Sequence, residues 1–558
     1  QNVRSGDVVV VDAGDSRSLL PLFWACLLGG MVPAPFKVAA AAAGGAALKR
    51  LRDSWEVLGR PVIAADPASL QALSPLGAAA LDGMTFLDAA ALADAESATP
   101  APVADLQALA MVFMTSGSTG LPKGVMLSQA NVLAMIGGVA ERGKVLTPGA
   151  TTMNWMPLDH VGGLGFLSIL PLVLGMNQIQ VDTATVLAAP TRWLDLAHRH
   201  RVCMVWTPNF AFDVLQQAAS APGAARGWDL SNLHMIVNGG EAISDSVLTA
   251  FATRFAENKL PAGAIWPSFG MTETVSGFSM AQWEPGHGEV VSLGMPICGA
   301  AQRIVDQHGE VTQEGLIGAV ELTGAPLFMG YFSRDDLTAE VMHDGWFRTG
   351  DMGIIRNGEL FVVGRIKEMI IVNGANFYSS EIEEVVAQTE GVDRLSVAAV
   401  GVRAPAARTD QLALFFDAPA ARDDAALKRV MQDMRMRLGK QLSLMPMYFI
   451  HVPADRLPRT NSGKVQRLEL RRLLEAGAFD VEIKRAACLL EAASTIPEWF
   501  SEPYWKPCAI AAHEPPGGQS VAVLGDASPG DAVIRTTLAD AAVDIDWRQF
   551  ALEEDDAD

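Results

Sequence analysis

The feature that most constrains this chain is a loop of small and hydroxyl-bearing residues that directly follows an apolar stretch. Residues 106–113 are almost entirely apolar, and residues 114–124 then read MTSGSTGLPKG. A buried strand that ends in such a loop favours anion binding, because glycines let backbone N–H groups approach closely and hydroxyls add further donors. We therefore predict a phosphate-binding loop formed by Thr115, Ser116, Gly117, Ser118, Thr119, Gly120 and Lys123.

This loop differs from the common nucleotide-binding P-loop. That motif requires glycine before its lysine and Ser or Thr after it, whereas Pro122 and Gly124 flank Lys123 here. The alternative interpretation is an ordinary Gly/Ser turn. The combination of four hydroxyl side chains, two glycines and a lysine after a strand favours phosphate binding.

Composition narrows the class of protein. A chain of 558 residues is too long for one core, so we expect several domains. The net charge of −21 argues against nucleic acid or an anionic membrane as the main partner. Five widely spaced cysteines without a C-x-x-C motif predict reduced thiols in a cytoplasmic protein. The uncharged stretch 19–36 contains three prolines, which predicts a buried helix and turn and no membrane span.

The order of apolar stretches predicts an α/β protein. From Val8 to about Ile355, strand-like stretches alternate with helix-like ones, which is typical of stacked α/β layers. A second unit with strands and an amphipathic helix runs from about Gly364 to Leu474. Because the chain opens on a strand at 7–12 and does not start with methionine, we expect it to be part of a longer polypeptide.

Two acidic residues lie in segments that we predict to be turns suited to nucleotide binding. Glu273 ends the sequence FGMTE after an apolar stretch, and a carboxylate beside a phosphate loop suits Mg²⁺. Asp351 lies in WFRTGDMG, where a carboxylate between glycines can accept the two hydroxyls of a ribose. A solvated loop glutamate and an Asx turn are the respective alternatives.

A third motif, LPRTNSGK, ends at Lys464. A lysine on a mobile loop can stabilise charge that builds between a carboxylate and an α-phosphate in the transition state. The alternative for a single Gly-Lys turn is an exposed surface loop.

Taken in order, these motifs resemble those of the adenylate-forming superfamily, which includes acyl-CoA synthetases, peptide-synthetase adenylation domains and fatty-acyl-AMP ligases. The resemblance covers about residues 1–475. It implies a large multilayer N-terminal domain with mixed sheets at 1–365 and a small, mobile α+β C-terminal domain at 366–475. A linker at 476–503 and the beginning of a further α/β domain at 504–558 would follow. This last part resembles the structural half of a polyketide ketoreductase.

The resemblance also implies residue roles. The catalytic residues would be Lys464, Thr272, Glu273 and His160. Thr272 would contact the α-phosphate, and Glu273 would also be the Mg²⁺ ligand. Asp351 and Arg365 would hold the ribose of ATP, and Lys367 would be the hinge of the C-terminal domain. The other residues implied at the nucleotide are Gly239, Gly240, Glu241, Phe269, Gly270 and Met271.

The implied reaction has two steps. A carboxylate attacks the α-phosphate of ATP bound with Mg²⁺, which gives an acyl-AMP and pyrophosphate. A phosphopantetheine thiol, on a carrier protein or on coenzyme A, then accepts the acyl group. Since no covalent enzyme intermediate is needed, catalysis would rest on positioning and charge neutralisation.

The acid that is activated depends on the sequence around residue 160. His160 matches the histidine of fatty-acyl-AMP ligases, and the position that binds an α-ammonium in amino-acid-activating relatives falls on Val161 or Gly162. An alignment shifted onto Asp159 would instead favour an amino acid. Thr207, Asn209 and Phe210 would lie near the acyl chain. The stretch 330–346 leaves no room for the insertion that fatty-acyl-AMP ligases usually carry.

We therefore predict an acyl-loading adenylation domain of a polyketide or nonribosomal peptide assembly line, acting on a hydroxy, aryl or fatty acid. The alternatives are a free-standing acyl-CoA synthetase, an amino-acid adenylation domain and an inactive acyl- or nucleotide-binding module. A hydrolase is disfavoured, because no G-x-S-x-G motif occurs.

Overall fold

The computed structural model describes residues 3–93, 105–116, 122–221, 227–286, 290–372, 375–403, 410–459 and 465–490. All of them belong to one compact unit, Gln1–Thr495. The predicted further domain at 504–558 and the end of the predicted linker lie outside the described residues. We call residues 3–365 the large lobe and residues 366–490 the small lobe.

Strands alternate with helices along the large lobe, and further strands follow in the small lobe. In chain order the strands are β1 (Val8–Asp12), β2 (Val32–Phe36), β3 (Val62–Ala65), β4 (Phe86–Asp88), β5 (Leu109–Ser116), β6 (Pro122–Ser128), β7 (Thr151–Asn154), β8 (Asn177–Gln180), β9 (Val202–Trp206), β10 (Met235–Asn238), β11 (Ile265–Phe269), β12 (Ser279–Met280), β13 (Met295–Pro296), β14 (Ala300–Val305), β15 (Gly318–Gly324), β16 (Gly330–Tyr331), β17 (Met342–His343), β18 (Trp346–Arg356), β19 (Glu359–Arg365), β20 (Met369–Val372), β21 (Ala375–Tyr378), β22 (Val397–Val402), β23 (Gln411–Phe416) and β24 (Tyr448–His451).

The helices connect these strands and cover the sheets. They are α1 (Ser16–Leu28), α2 (Gly45–Val57), α3 (Pro67–Leu73), α4 (Ala89–Ala93), α5 (Gln129–Arg142), α6 (Leu170–Val173), α7 (Thr183–Ala188), α8 (Thr191–Arg199), α9 (Asn209–Ser220), α10 (Asp245–Phe255), α11 (Asp335–Val341), α12 (Ser379–Ala387), α13 (Asp424–Leu442), α14 (Arg467–Glu475) and α15 (Asp480–Leu489).

A seven-stranded sheet forms the centre of the large lobe, in the order β13-β12-β11-β10-β9-β7-β8. Strands β8, β7, β9, β10 and β11 are parallel to one another. At the other edge β12 pairs antiparallel with β11, and β13 pairs antiparallel with β12. Every residue of β9 and β10 is buried, as expected for central parallel strands that are covered on both faces. The carboxyl ends of β7, β9, β10 and β11 therefore meet at one edge, where ligands bind in open α/β sheets.

Three further sheets complete the large lobe. A parallel sheet has the order β2-β1-β3-β4, an antiparallel sheet has the order β16-β6-β5, and a third sheet joins β14-β15-β18-β17 with β19 on β18. The prediction of an α/β protein with mixed sheets is confirmed.

The small lobe has its own hydrophobic core. The β20–β21 hairpin and the sheet β22-β23-β24 pack with α12 and α13 around buried residues such as Phe416, Met431 and Leu438. Helix α15, within the stretch predicted as a linker, contributes the buried Ala486 to the same core. Among the described helices, none combines the length and apolar composition needed to cross a membrane.

Candidate active site

The chain leaves β11 through a tight turn that carries Glu273. A Cβ atom at Gly270 would lie 1.5 Å from the carbonyl oxygen of Ser276, so only glycine fits there. The turn then passes through Val275 and Ser276 with φ values of +54° and +89°. A positive φ at a β-branched residue is strained, and such strain concentrates at functional sites. The predicted residues Phe269, Gly270, Met271, Thr272 and Glu273 thus share one sharply folded segment.

Glu273 belongs to a cluster that two other strands complete. Its Oε1 accepts a hydrogen bond of 2.8 Å from the hydroxyl of Tyr331 on β16. The ring of Tyr331 lies 4.7 Å from Nζ of Lys123, which is on the neighbouring strand β6. Burial raises the pKa of Glu273, and Tyr331, Lys123 and Arg365 act in the opposite direction. Lys123, which is suited to binding phosphate, and the carboxylate of Glu273 therefore share one cleft.

Asp351 and Arg365 form an ion pair next to this cluster. The turn predicted at Asp351 is wrong, because the residue lies inside β18 and pairs with Arg365 on β19. Nε of Arg365 lies 3.0 Å from Oδ1 of Asp351. Asp351 is buried, and its negative charge is the main cause that raises the pKa of Arg365. Glu273 contributes in the same direction, so the predicted ribose residues and the predicted metal ligand lie in one region.

The turn 238–241 lies between the nucleotide residues and the predicted acyl pocket. A Cβ atom at Gly239 would lie 2.6 Å from the carbonyl oxygen of Ser268 on β11, and Gly240 has a φ of +91°. Oε1 of Glu241 accepts a hydrogen bond of 2.9 Å from the backbone N–H of Phe210 in α9. The turn therefore fixes the start of α9 against the sheet edge.

His160 lies where the chain enters a buried π-helix, Gly162–Ile169. Its Nδ1 accepts a hydrogen bond of 3.0 Å from the N–H of Gly162. His160 is exposed, yet desolvation by the surrounding protein lowers its pKa, against the opposite effect of nearby Asp159. Because Nδ1 accepts the hydrogen bond from Gly162, it carries no proton and the imidazole is in its neutral form. Val161 is buried, whereas Asp159 is only partly buried.

The other predicted pocket residues follow β9. Thr207 is fully buried, and its hydroxyl has no hydrogen-bond partner among the described residues. Asn209 begins α9 and accepts a hydrogen bond of 3.3 Å from the N–H of Ser244, while the ring of Phe210 is only partly buried. The structure brings these residues to the same sheet edge as the turn 238–241.

Sequence reasoning missed two residues of this region, Tyr331 and Ser276. Ser276 is buried, its hydroxyl lacks a partner among the described residues, and it lies 3.7 Å from the position of a Cβ atom on Gly162. Its position three residues after Glu273 is the one signal that could have identified it. Tyr331 has no local signal, because it lies 58 residues from Glu273.

The predicted phosphate loop is shorter than expected. Strand β5 continues to Ser116 and β6 begins at Pro122, because Thr115 pairs with Lys123 across an antiparallel hairpin. Gly117, Ser118, Thr119 and Gly120 lie outside the described residues. Their loop is thus held at both ends by strands, and Lys123 lies on the second of these.

Lys464 also lies outside the described residues, but both ends of its loop are described. Arg459 and Val465 form an antiparallel bridge, and Arg459 donates to the carbonyl oxygen of Leu395 at 2.7 Å. Burial lowers the pKa of Arg459, whereas the charges of Asp393 and, to a smaller extent, Glu241 raise it. The segment that leads into the Lys464 loop is therefore within the electrostatic influence of the turn 238–241.

Beyond this loop, Arg467 joins two parts of the small lobe. Its guanidinium binds Glu368 at 2.8 Å and Glu383 through two hydrogen bonds. Glu368 follows directly after the predicted hinge residue Lys367, which is exposed between β19 and β20. The end of the Lys464 loop is thus tied to the start of the small lobe.

Comparison with known proteins places this site in a family. The family model described as AMP-binding enzyme matches residues 1–332. Atromentin synthetase invA1 of Paxillus involutus is 30% identical over 514 residues, which cover 88% of this chain and 53% of that protein. The chain therefore spans about half the length of this curated relative.

Two solved structures are also similar. The structure of McyG A-PCP complexed with phenylalanyl-adenylate has a TM-score of 0.82 and 34% identity, over 88% of this chain and 78% of that one. The adenylation, ketoreductase and pseudo Asub multidomain structure of a keto acid-selecting NRPS module has a TM-score of 0.80 and 30% identity, over 98% of this chain and 48% of that one. The predicted adenylate-forming fold is confirmed by these neighbours. The chain belongs to the AMP-binding enzyme family.

Proposed function

We propose that this chain activates a carboxylic acid with ATP and passes the acyl group to a phosphopantetheine thiol within a synthetase assembly line. The observation that carries the proposal is the grouping of Lys123, Glu273 and the Asp351–Arg365 pair in one cleft. In the first step an oxygen of the acid bonds to the α-phosphorus and pyrophosphate leaves. In the second step the thiol sulfur bonds to the acyl carbon and AMP leaves.

Each of these polar residues would have a separate role at the nucleotide. Lys123 and Thr272 would bind phosphate oxygens, Asp351 would accept the ribose hydroxyls, and Arg365 would hold Asp351 in place. Lys464 would neutralise charge between the acid and the α-phosphate as the transition state forms. These roles are assigned through the family motifs and are consistent with the positions of the four described residues.

Glu273 would hold Mg²⁺, which when bound would neutralise charge on the phosphates. The residues present fit this ion. Glu273 as a residue is only partly buried, and its partner is the neutral hydroxyl of Tyr331. A single protein carboxylate is sufficient, because Mg²⁺ at nucleotide sites takes most of its ligands from phosphates and water.

The acid would lack an α-ammonium group. The two positions implied for ammonium recognition hold Val161 and Gly162, and the neighbouring His160 is neutral because its Nδ1 accepts a hydrogen bond from Gly162. An ammonium ion at either position would lose its hydration without a carboxylate there, so an amino acid would have to be recognised through Asp159 instead. The unpartnered hydroxyl of Ser276, close to Gly162, could instead donate to a keto or hydroxyl oxygen at C2.

A 2-keto acid is the class that we favour. Its support is the similarity to the keto acid-selecting module, which extends over 98% of this chain, together with the absence of a carboxylate at positions 161 and 162. Hydroxy, aryl and fatty acids, which the sequence also allowed, are included in the experiment described below. The acceptor would be a carrier domain, as suggested by the A-PCP neighbour, with coenzyme A as the alternative.

Matched acids test this assignment. The full chain is incubated with ATP, Mg²⁺ and equimolar 2-keto, 2-hydroxy and 2-amino acids that share a side chain, in separate benzyl, isobutyl and methyl series. Aryl and fatty acids form a further mixture, and adenylates are identified by mass spectrometry. We expect a keto acid adenylate to exceed its amino counterpart by about 100-fold or more, because an unpaired ammonium is strongly rejected. Preference for the amino acid would contradict the proposal.

Replacing His160 with alanine is expected to change which acid is used. Removal of the ring opens space beside Gly162 and Ser276. Discrimination between short and bulky acids should therefore fall by about tenfold, which is the selectivity that one or two methylene groups contribute in an apolar pocket. Relative kcat/KM values for the same acids provide the measurement, and His308→Ala, on an exposed turn, is the control. An unchanged substrate profile would show that His160 lies outside the acyl pocket.

A further inference from the structure

Tyr331 contacts both the positive and the negative group of the nucleotide cleft. Its hydroxyl donates to Oε1 of Glu273 at 2.8 Å, and the face of its ring lies 4.7 Å from Nζ of Lys123. Among the described residues, no ion pair joins Lys123 to Glu273. One aromatic side chain therefore occupies the place where two opposite charges could meet.

The backbone holds this tyrosine firmly. Tyr331 is 3% exposed, and its N–H donates to the hydroxyl of Thr338 at 2.9 Å. Three residues earlier, the N–H of Phe328 donates to the carbonyl oxygen of Glu273 at 2.8 Å, and the rings of Phe328 and Tyr331 meet edge to face. The segment is thus tied to Glu273 through the backbone and through the side chain.

Opposite charges in a partly dehydrated cleft attract each other strongly. Glu273 and Lys123 both contact Tyr331, so the two groups are close, and the charge of Lys123 acts to lower the pKa of Glu273. A direct ion pair would block both groups, since ATP would have to displace the carboxylate from the ammonium and its cation would have to displace the ammonium from the carboxylate. A ring face is a weaker partner than a carboxylate, so a phosphate can replace it at Lys123. A neutral hydroxyl on Oε1 orients Glu273 and leaves its negative charge and its second oxygen to a divalent cation.

We propose that Tyr331 is a positioning residue that keeps Lys123 and Glu273 apart in the nucleotide-free cleft, so that both remain available to ATP and its divalent cation. This inference rests on the proposed function. It assigns the ring to Lys123 and the hydroxyl to Glu273, and the two parts are therefore separable by mutation.

The test measures binding of metal-free ATP by isothermal titration calorimetry in EDTA, with the full chain. Tyr331→Leu removes the ring and allows Lys123 to pair with Glu273, so the affinity for ATP should fall about tenfold. Adding Glu273→Gln to Tyr331→Leu removes the competing charge, and the affinity should return to within about threefold of Glu273→Gln alone. A residue with a purely structural role would not be rescued in this way.

Tyr331→Phe tests the hydroxyl without disturbing the core. Metal-free ATP should bind as in the wild type, because the ring remains under Lys123. The MgCl₂ concentration that gives half-maximal enhancement of ATP binding should rise about threefold, since Glu273 loses the donor that orients it. Tyr448→Leu is the matched control, because its hydroxyl bonds to Gln411 in the small lobe, and it should alter neither measurement.

The outcomes distinguish a failure of the proposed function from a failure of the role proposed for Tyr331. Wild-type protein that binds no ATP would contradict the proposed function and this inference with it. Wild-type binding that Tyr331→Leu leaves unchanged, or a loss that Glu273→Gln does not reverse, would overturn the role of Tyr331 alone. If circular dichroism shows that Tyr331→Leu is unfolded, the Tyr331→Phe titration decides, and an unchanged Mg²⁺ requirement would refute the inference.

Discussion

Replacing Lys464 with alanine is expected to reduce acid-dependent pyrophosphate exchange by about 10²- to 10³-fold or more, while ATP binding stays close to that of the wild type. Lys464 is assigned to charge that develops only as the acid attacks the α-phosphate, so its loss should lower kcat more than it weakens ground-state binding. The described ends of its loop are consistent with this role, because Arg459 lies within the electrostatic reach of Glu241 in the large lobe.

The measurement compares exchange rates and ATP affinity of the same preparation. Lys440→Ala is the control, since this lysine is exposed in the last turn of α13 in the same lobe. Exchange above a tenth of the wild-type rate in Lys464→Ala would remove this lysine from the mechanism. An equal loss of ATP binding would indicate a ground-state role instead.

Replacing Arg467 with leucine is expected to destabilise the small lobe by about 3 kcal/mol. The substitution keeps much of the side-chain volume but leaves Glu368 and Glu383 without their cation, and these carboxylates are only 18% and 14% exposed. Since Glu368 follows the predicted hinge and Arg467 begins the helix after the Lys464 loop, exchange activity should fall as well.

Urea denaturation, followed by hydrogen exchange of small-lobe peptides, measures this effect for the lobe itself. Arg472→Leu on the same helix is the matched control, because its pair with Glu469 is exposed and should contribute nothing measurable. Adding Glu383→Gln to Arg467→Leu should recover part of the loss. Equal stabilities of the Arg467 and Arg472 variants would contradict the proposed importance of the buried network.

The elements that the sequence predicted well carry strong local signals. The apolar stretch before residue 114 predicted a buried strand, and β5 runs from Leu109 to Ser116. The turn predicted at Asp351 is wrong, because β18 continues through this residue and its flanking glycines to Arg356. In the structure Arg365 pairs with Asp351 and lies within the electrostatic influence of Glu273. Their chemical roles remain predictions, as do the proposed domain boundaries.

Other features could not be predicted, because they depend on pairing between distant segments. Ser and Thr residues near a glycine read as a loop, yet Thr115 lies in a strand because Lys123 pairs with it across the hairpin. Tyr331 lies on a strand of only two residues, β16, and approaches Lys123 because β16 pairs with β6. Nothing in the sequence around Tyr331 indicates this neighbour.

Acid-dependent ATP–pyrophosphate exchange by the full chain tests the central claim most directly. The panel contains the matched 2-keto, 2-hydroxy and 2-amino acids together with aryl and fatty acids, and Lys464→Ala provides the background rate. We predict exchange with an acid that lacks an α-ammonium group, highest with a 2-keto acid, and none above background with the amino acids. Exchange with amino acids alone, or no exchange with any acid while ATP still binds, would contradict the account.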